Sequence, residues 1–197
     1  MIIEDKVIVH RRGNDADQEH PEEYKIKLNL GHENIGLGMS GGLDSSILLW
    51  LLAHHINENK LDTTIHIWSC IHQEKPWQHI HAKKVIAFVK EEFPNVKFGK
   101  HRITRTSAKD YIDNGRKNSW ALVEEEKVTA LFNGVTVNPP EEIGAPIWKK
   151  RWDRRAETRD WNKKDFWVAE RSEAYVMATE PHHTEYLPFV HTDKRIV

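Results

Sequence analysis

Hydrophobic and polar positions change their period several times along the chain, and each change marks an element. Near the start, the apolar run "KVIVH" at residues 6–10 precedes the charged turn "RRGNDADQEHPEE". The segment "YKIKLNL" at 24–30 then alternates polar and apolar residues. A period of two places successive side chains on opposite faces, so both runs predict strands, lying at a sheet edge or covering a sheet. From residue 34 strand and helix patterns alternate. "NIGLGM" (34–39) predicts a short strand, "LDSSILLWLLAHHINE" (43–58) a helix, and "TTIHIWSCI" (63–71) a strand rich in β-branched residues.

Ala82, Val85, Ile86, Val89 and Phe93 recur at helical spacing in "PWQHIHAKKVIAFVKEEF" (76–93), giving one buried stripe, and Pro94 and Asn95 close that helix. "NVKFGKHRI" (95–103) predicts a third strand of this series, "SAKDYIDNGRKNSWALVEEE" (107–126) helical pieces broken at Gly115, and "KVTALFNGVTV" (127–137) a fourth strand. Strands alternating with helices predict an α/β fold: a doubly wound, mainly parallel, Rossmann-like sheet with helices on both faces.

After "NPPEEIGAP" (138–146) the periodicity stops. Residues 148–165, "WKKRWDRRAETRDWNKKD", interleave Trp148, Trp152 and Trp161 with eight basic and four acidic residues. Such a tract predicts either a charged helix docked through its tryptophans or a lid over an acceptor, with cations for phosphates and aromatic faces for bases. Order is expected to return at "YLPFVHTDKRIV" (186–197), where the chain stops as a new helix falls due, as in a C-terminally truncated domain. The whole is expected to be one domain: N-terminal edge strands (1–33), a core (34–137), an insertion or lid (138–186) and a return segment (187–197).

Composition narrows the chemistry. Lys+Arg 29 against Asp+Glu 30 gives a net charge of −1, without the global basic footprint of a dedicated nucleic-acid binder. The lone cysteine, Cys70, excludes an internal disulfide framework and a multi-cysteine zinc site, and suits a reducing compartment. With no apolar stretch of membrane length and no signal-peptide pattern in "MIIEDKVIVHRRG", the expected location is the cytoplasm, away from membranes.

The candidate chemistry lies at "GLGMSGGLDSSILLW" (36–50), a glycine-rich turn between a strand and a helix, where backbone N–H groups and a helix dipole converge on an anion. Gly41 and Gly42 permit close approach, and Ser40, Ser45 and Ser46 supply hydroxyls. A phosphate-binding GxxxxGK[ST] loop fails because no lysine occurs between residues 31 and 59. Gly36, Gly38 and Gly41 spell GxGxxG, yet the next strand ends "IWSCIH" with no acid before Glu74 to hold a ribose.

"SGGLDSS" at residues 40–46 resembles the SGGxDS motif of the PP-loop ATP pyrophosphatases, the N-type, adenine nucleotide alpha hydrolase-like superfamily. The resemblance spans roughly 34–137 and 187–195. It implies ATP and Mg²⁺ as cofactors, with a loop of Ser40, Gly41, Gly42, Leu43, Asp44, Ser45 and Ser46 around pyrophosphate. The resemblance also implies adenine at the strand end from Trp68 and Ser69 to Ile71, largely through backbone groups, a glycine at the sheet edge (Gly134), and a returning phosphate contact, Lys194 in "LPFVHTDK". Asp44 and Lys194 are the candidate catalytic residues, Asp44 also the candidate metal ligand, with Glu141 and Glu142 as further carboxylates. Relatives often carry acids after the fourth strand, where this chain has Thr136 and Asn138. The cysteines of deazaguanine synthases and of many thiolases are missing.

The implied activity is that of an AMP-forming ligase: attack at the α-phosphate activates a substrate oxygen, pyrophosphate leaves, and a nitrogen or sulfur nucleophile then displaces AMP. The alternatives are a 7-cyano-7-deazaguanine synthase-like or tRNA-modifying ligase and, from another class, an ATP- or AMP-binding module without turnover. The acceptor is left open between a small molecule and a nucleic acid contacted locally through 148–165, and a homodimer is one assembly left open. Cys70 is expected to be a core residue; His79 and His81, with His72 nearby, are expected to hold no metal, since i, i+2 spacing sends helical side chains to different faces. His182 and His183 are expected in a solvated loop, and Glu124 to Glu126 at an exposed helix end, with carboxylates near magnesium as the alternative.

Overall fold

The computed structural model describes residues 1–9, 22–107, 109–134 and 184–189. A five-stranded sheet forms the centre. Its strands are β3 (Asn34–Gly38), β4 (Thr64–His72), β5 (Lys97–Thr106), β6 (Ala130–Asn133) and β7 (Thr184–Tyr186), preceded by β1 (Ile2–Val9) and β2 (Glu22–Asn29). The order across the sheet is β5-β4-β3-β6-β7 and every pairing is parallel. The chain therefore winds outward from β3 to β5, crosses back and winds outward again from β6. This order is Rossmann-like, and the reversal lies between β3 and β6.

The helices obey that winding, because right-handed crossovers in opposite directions leave helices on opposite faces. Helices α1 (Leu43–Glu58) and α2 (Gln78–Glu92) pack on one face. There Leu48, Leu49, Leu52 and Ile56 of α1, and Ala82, Ile86 and Val89 of α2, meet Ile35, Leu37, Ile65, Ile67 and Phe132 from the strands. Helix α3 (Tyr111–Glu125) packs on the other face, where Leu122 joins Trp68, Val128 and Leu131. Gly115 does not break α3. A glycine inside a helix costs only about 1 kcal/mol against alanine, and α3 recovers more than that through its contacts with β3, β4 and β5.

The first two strands pair antiparallel from Ile2↔Asn29 to Val9↔Glu22 and form a separate two-stranded sheet, not an edge of the main one. The hairpin covers the core through Ile26 and Leu28, with Leu30 just beyond β2, and is fastened to α1 by Asp5 and His55, 2.5 Å apart. On its far side Asn29 Nδ2 donates to the Tyr186 hydroxyl at 3.0 Å, tying the hairpin to β7. Strand β7 begins within the span expected to be insertion. Only three residues long, it carries no periodic signal of its own, and its pairing to β6 defines it. Among the described residues no helix is long and apolar enough to cross a membrane.

Leu28 on β2 is fully buried in the shared core. Leu28→Ala should therefore lower unfolding stability by about 2–5 kcal/mol, measured by urea titration, whereas a hairpin lying loosely on the domain would lose almost none.

Candidate functional site

The turn after β3 lies at the carboxyl end of the sheet beside the β3/β6 reversal, where open α/β sheets bind ligands. The strand ladder ends as Met39 N–H donates to the Trp68 carbonyl at 2.8 Å. The Met39 carbonyl is taken by a side chain instead, the Ser69 hydroxyl, at 2.5 Å. From there the backbone leaves the sheet.

Two glycines fix the path of the turn. Gly41 has φ +77°, and a Cβ there would overlap the Gln78 carbonyl oxygen in the first turn of α2. Gly134, just past β6, lies so close to the first turn of α1 that a Cβ would stand 2.8 Å from the Asp44 carbonyl carbon and 2.9 Å from the Ser45 nitrogen. Gly42 differs from both. Its backbone is extended (φ −87°, ψ 171°), and an added Cβ would meet only the Ser40 hydroxyl, at 3.3 Å.

The hydroxyls of the turn mostly hold the turn itself. Ser45, buried, donates to the Gly42 carbonyl at 3.2 Å and accepts from Ser40 N–H at 3.3 Å. The Ser46 hydroxyl donates to the same carbonyl at 2.7 Å, and Ser40 Oγ accepts from Gly42 N–H at 3.3 Å. Because Gly42 is the N-cap, no side chain caps α1, and its dipole and first amides face the turn. Leu43 is exposed, and Asp44 supplies an acidic group in the first helical turn.

The other glycines of the apparent GxGxxG have a packing role. Gly36 and Gly38 lie within β3 beneath Trp68, whose indole atoms would stand 3.4 Å and 2.9 Å from their respective Cβ atoms. Trp68 thus commits its side chain to the α3 face and its carbonyl to Met39. Cys70 also faces α3. It accepts a hydrogen bond from Asn118 Nδ2 at 3.3 Å, and burial pushes its thiol pKa up, as expected for a core residue. His72 Nδ1 accepts from the Glu74 amide at 3.2 Å. Among the described residues no group of three or more His, Cys, Asp or Glu side chains could hold a metal ion.

One residue at the site carried no motif signal. His101, on β5, places Nε2 2.8 Å from Ser69 Oγ. Burial, reinforced by the charges of Lys83 and Lys90, drives its pKa from the usual 6.5 to about 4. A histidine in an edge strand among lysines and arginines looks like a solvated charge in sequence; only the fold brings it to Ser69. Lys194, Glu141, Glu142, Thr136, Asn138 and the tract 148–165 lie outside the described residues.

No protein-family model matches the chain, and no curated protein matches it. Among solved structures, that of protein Rv1636 from Mycobacterium tuberculosis H37Rv is similar at 17% sequence identity, the match covering 64% of this chain and 90% of that one with a TM-score of 0.35.

Two predictions test this geometry. Gly134→Ala should cost about 1–3 kcal/mol of stability, because the methyl group must displace helical backbone; a urea midpoint equal to that of the unaltered chain would contradict the close approach. The His101 ring should titrate by NMR near pH 4, not 6.5. Since the unfolded chain takes up that proton first, His101 should make stability fall as pH drops from about 6.5 towards 4.

Proposed function

We propose that the chain binds ATP at residues 40–46 and acts as an AMP-forming ligase of the PP-loop type. The observation that carries the reading is the SGGLDSS turn, which enters an uncapped helix N-terminus beside the β3/β6 reversal and is closed by two glycines without room for a side chain. A turn of backbone amides held in place before the ligand arrives suits the charge that develops on a leaving pyrophosphate.

In this reading ATP, bound with Mg²⁺, supplies an α-phosphate open to attack and a pyrophosphate leaving group. The chain's own part is to position and to stabilise charge. Gly41 and Leu43 would present amides to the pyrophosphate, Ser40 and Ser46 would flank it, and Ser45 would keep the turn in shape, while Gly42 N–H is held by Ser40 Oγ. Asp44 would orient a magnesium-bound water; a single carboxylate suits Mg²⁺, which keeps several waters and takes further ligands from phosphates. Gly134 would let the end of β6 lie against the first turn of α1, and Lys194 would add a cation from the return segment. The acceptor oxygen and the final nucleophile, nitrogen or sulfur, are not specified by these residues. A non-catalytic ATP- or AMP-binding module is the second reading, favoured by Thr136 and Asn138 standing where relatives often carry acids.

Gly42 offers the clean test, because its extended backbone accepts a side chain that would intrude into the turn without overlapping α2. Gly42→Val should leave unfolding stability within about 1 kcal/mol, the scale of an altered helix cap, while lowering ATP affinity by about 100-fold or more in calorimetry. With a competent acceptor, chromatography should show AMP and pyrophosphate. ADP and phosphate would exclude the ligase, and ATP retained intact would favour the binding module.

A further inference from the structure

We propose that His101 is a positioning residue that holds the ATP turn through Ser69, a role no part of the SGGLDSS motif assigns. The functional half of this inference rests on the proposed ATP site; the structural half does not.

Proton counting sets the direction of both hydrogen bonds. A serine hydroxyl has one proton to give, and a carbonyl can only accept. At 2.5 Å, Ser69 Oγ must be donating to the Met39 carbonyl, since two acceptors at that distance would repel. Ser69 therefore has no proton left for His101, and the 2.8 Å contact must run the other way, from His101 Nε2–H to Ser69 Oγ. This fixes the imidazole in its Nε2–H tautomer. Each bond polarises the next, so the pair forms a directed chain from β5 through β4 to the residue that starts the turn.

The location gives the chain its purpose. Met39 is the last residue whose N–H belongs to the ladder, and Ser40 follows it directly into the motif. The direction of the Met39 carbonyl fixes the plane of the Met39–Ser40 peptide, and with it the Ser40 N–H that meets Ser45. An error there propagates through Gly41 and Gly42. A half-buried imidazole is also a costly way to fill space there, because burial opposes its charge and Lys83 and Lys90 oppose it again. An aliphatic side chain would pack without that cost but could not donate to Ser69.

Two substitutions separate positioning from packing. His101→Leu keeps bulk and removes the donor, whereas His101→Gln retains an amide donor that can reach where Nε2 lies. The Leu variant should shift the backbone amide NMR signals of residues 40–46 in the absence of nucleotide and weaken ATP binding by about tenfold, the equivalent of one hydrogen bond to a constrained group. The Gln variant should restore both, although its melting temperature need not return to that of the unaltered chain. Unshifted signals for 40–46 together with unchanged ATP affinity in His101→Leu would overturn the inference, as would equal losses in the Leu and Gln variants. If the unaltered chain fails to bind ATP, the proposed function falls, and the amide signals of 40–46 still decide whether His101 positions the turn. Should the Leu variant not fold, Ser69→Ala carries the same test, since it cuts the chain at its middle atom, and undisturbed signals for 40–46 there would overturn the proposal.

Discussion

The site depends on two places where backbone lies against backbone with no room for a Cβ. At Gly41 the turn abuts the first turn of α2, and at Gly134 the end of β6 abuts the first turn of α1. Both contacts occur at the carboxyl end of the sheet, on either side of α1's N-terminus. They set the separation of α1, α2 and β6 more tightly than side-chain packing alone would, because main-chain atoms cannot change rotamer to make room. The apolar core beneath, from Ile35 and Leu37 to Leu48 and Leu52, supplies the burial that holds these elements together.

The polar groups near the turn are ordered by the same geometry. With the Met39 carbonyl out of the strand ladder, a buried acceptor would stand unsatisfied unless another donor reached it, at a cost of about 1–3 kcal/mol. Ser69 is that donor, on the α1/α2 face of β4 where it alternates with Ile67 and Ile71. His101, one strand further out, completes its hydrogen bonding. The apparent dinucleotide fingerprint dissolves for a related reason. Gly36 is small because Leu131 and Val128 crowd it, and Gly38 because Asn133 and Trp68 do, so only Gly41 of that trio belongs to the turn.

Much of this was legible in sequence, because strong periodicity and turn chemistry are local. Helix α1 runs over the span its apolar residues predict, 43–58. The parallel alternation from Asn34 to Asn133 reflects strand and helix patterns of ordinary length. The misses are non-local. Gly115 predicts a break from local propensity, and contacts with three strands override it. Strand β7 is too short to announce itself and exists because β6 offers it an edge. For the N-terminal strands the sequence leaves edge and cover both open, and the choice of cover depends on which faces of α1 and β2 meet, which no local pattern states. His101 belongs with these, since its partner Ser69 is 32 residues away and the two become neighbours only when β5 pairs with β4.

The distribution of charge bears on how such a turn would recognise an anion. No lysine lies between residues 31 and 59, and the hydroxyls of Ser45 and Ser46 are turned inward on the Gly42 carbonyl. What the turn offers is amide N–H groups and a helix dipole worth about half an elementary charge. That suffices to select an anion of the right shape but falls well short of balancing a nucleoside triphosphate. In the proposed function the remaining positive charge must come from a magnesium ion and from lysines outside the motif, Lys194 by resemblance. Lys83 is a further source, close enough to His101 that its field helps keep that ring neutral. In that reading shape and charge would be supplied by different parts of the chain: the glycine turn, whose one charged side chain is Asp44, would fix where the phosphates lie, and the surrounding cations would set how strongly they are held.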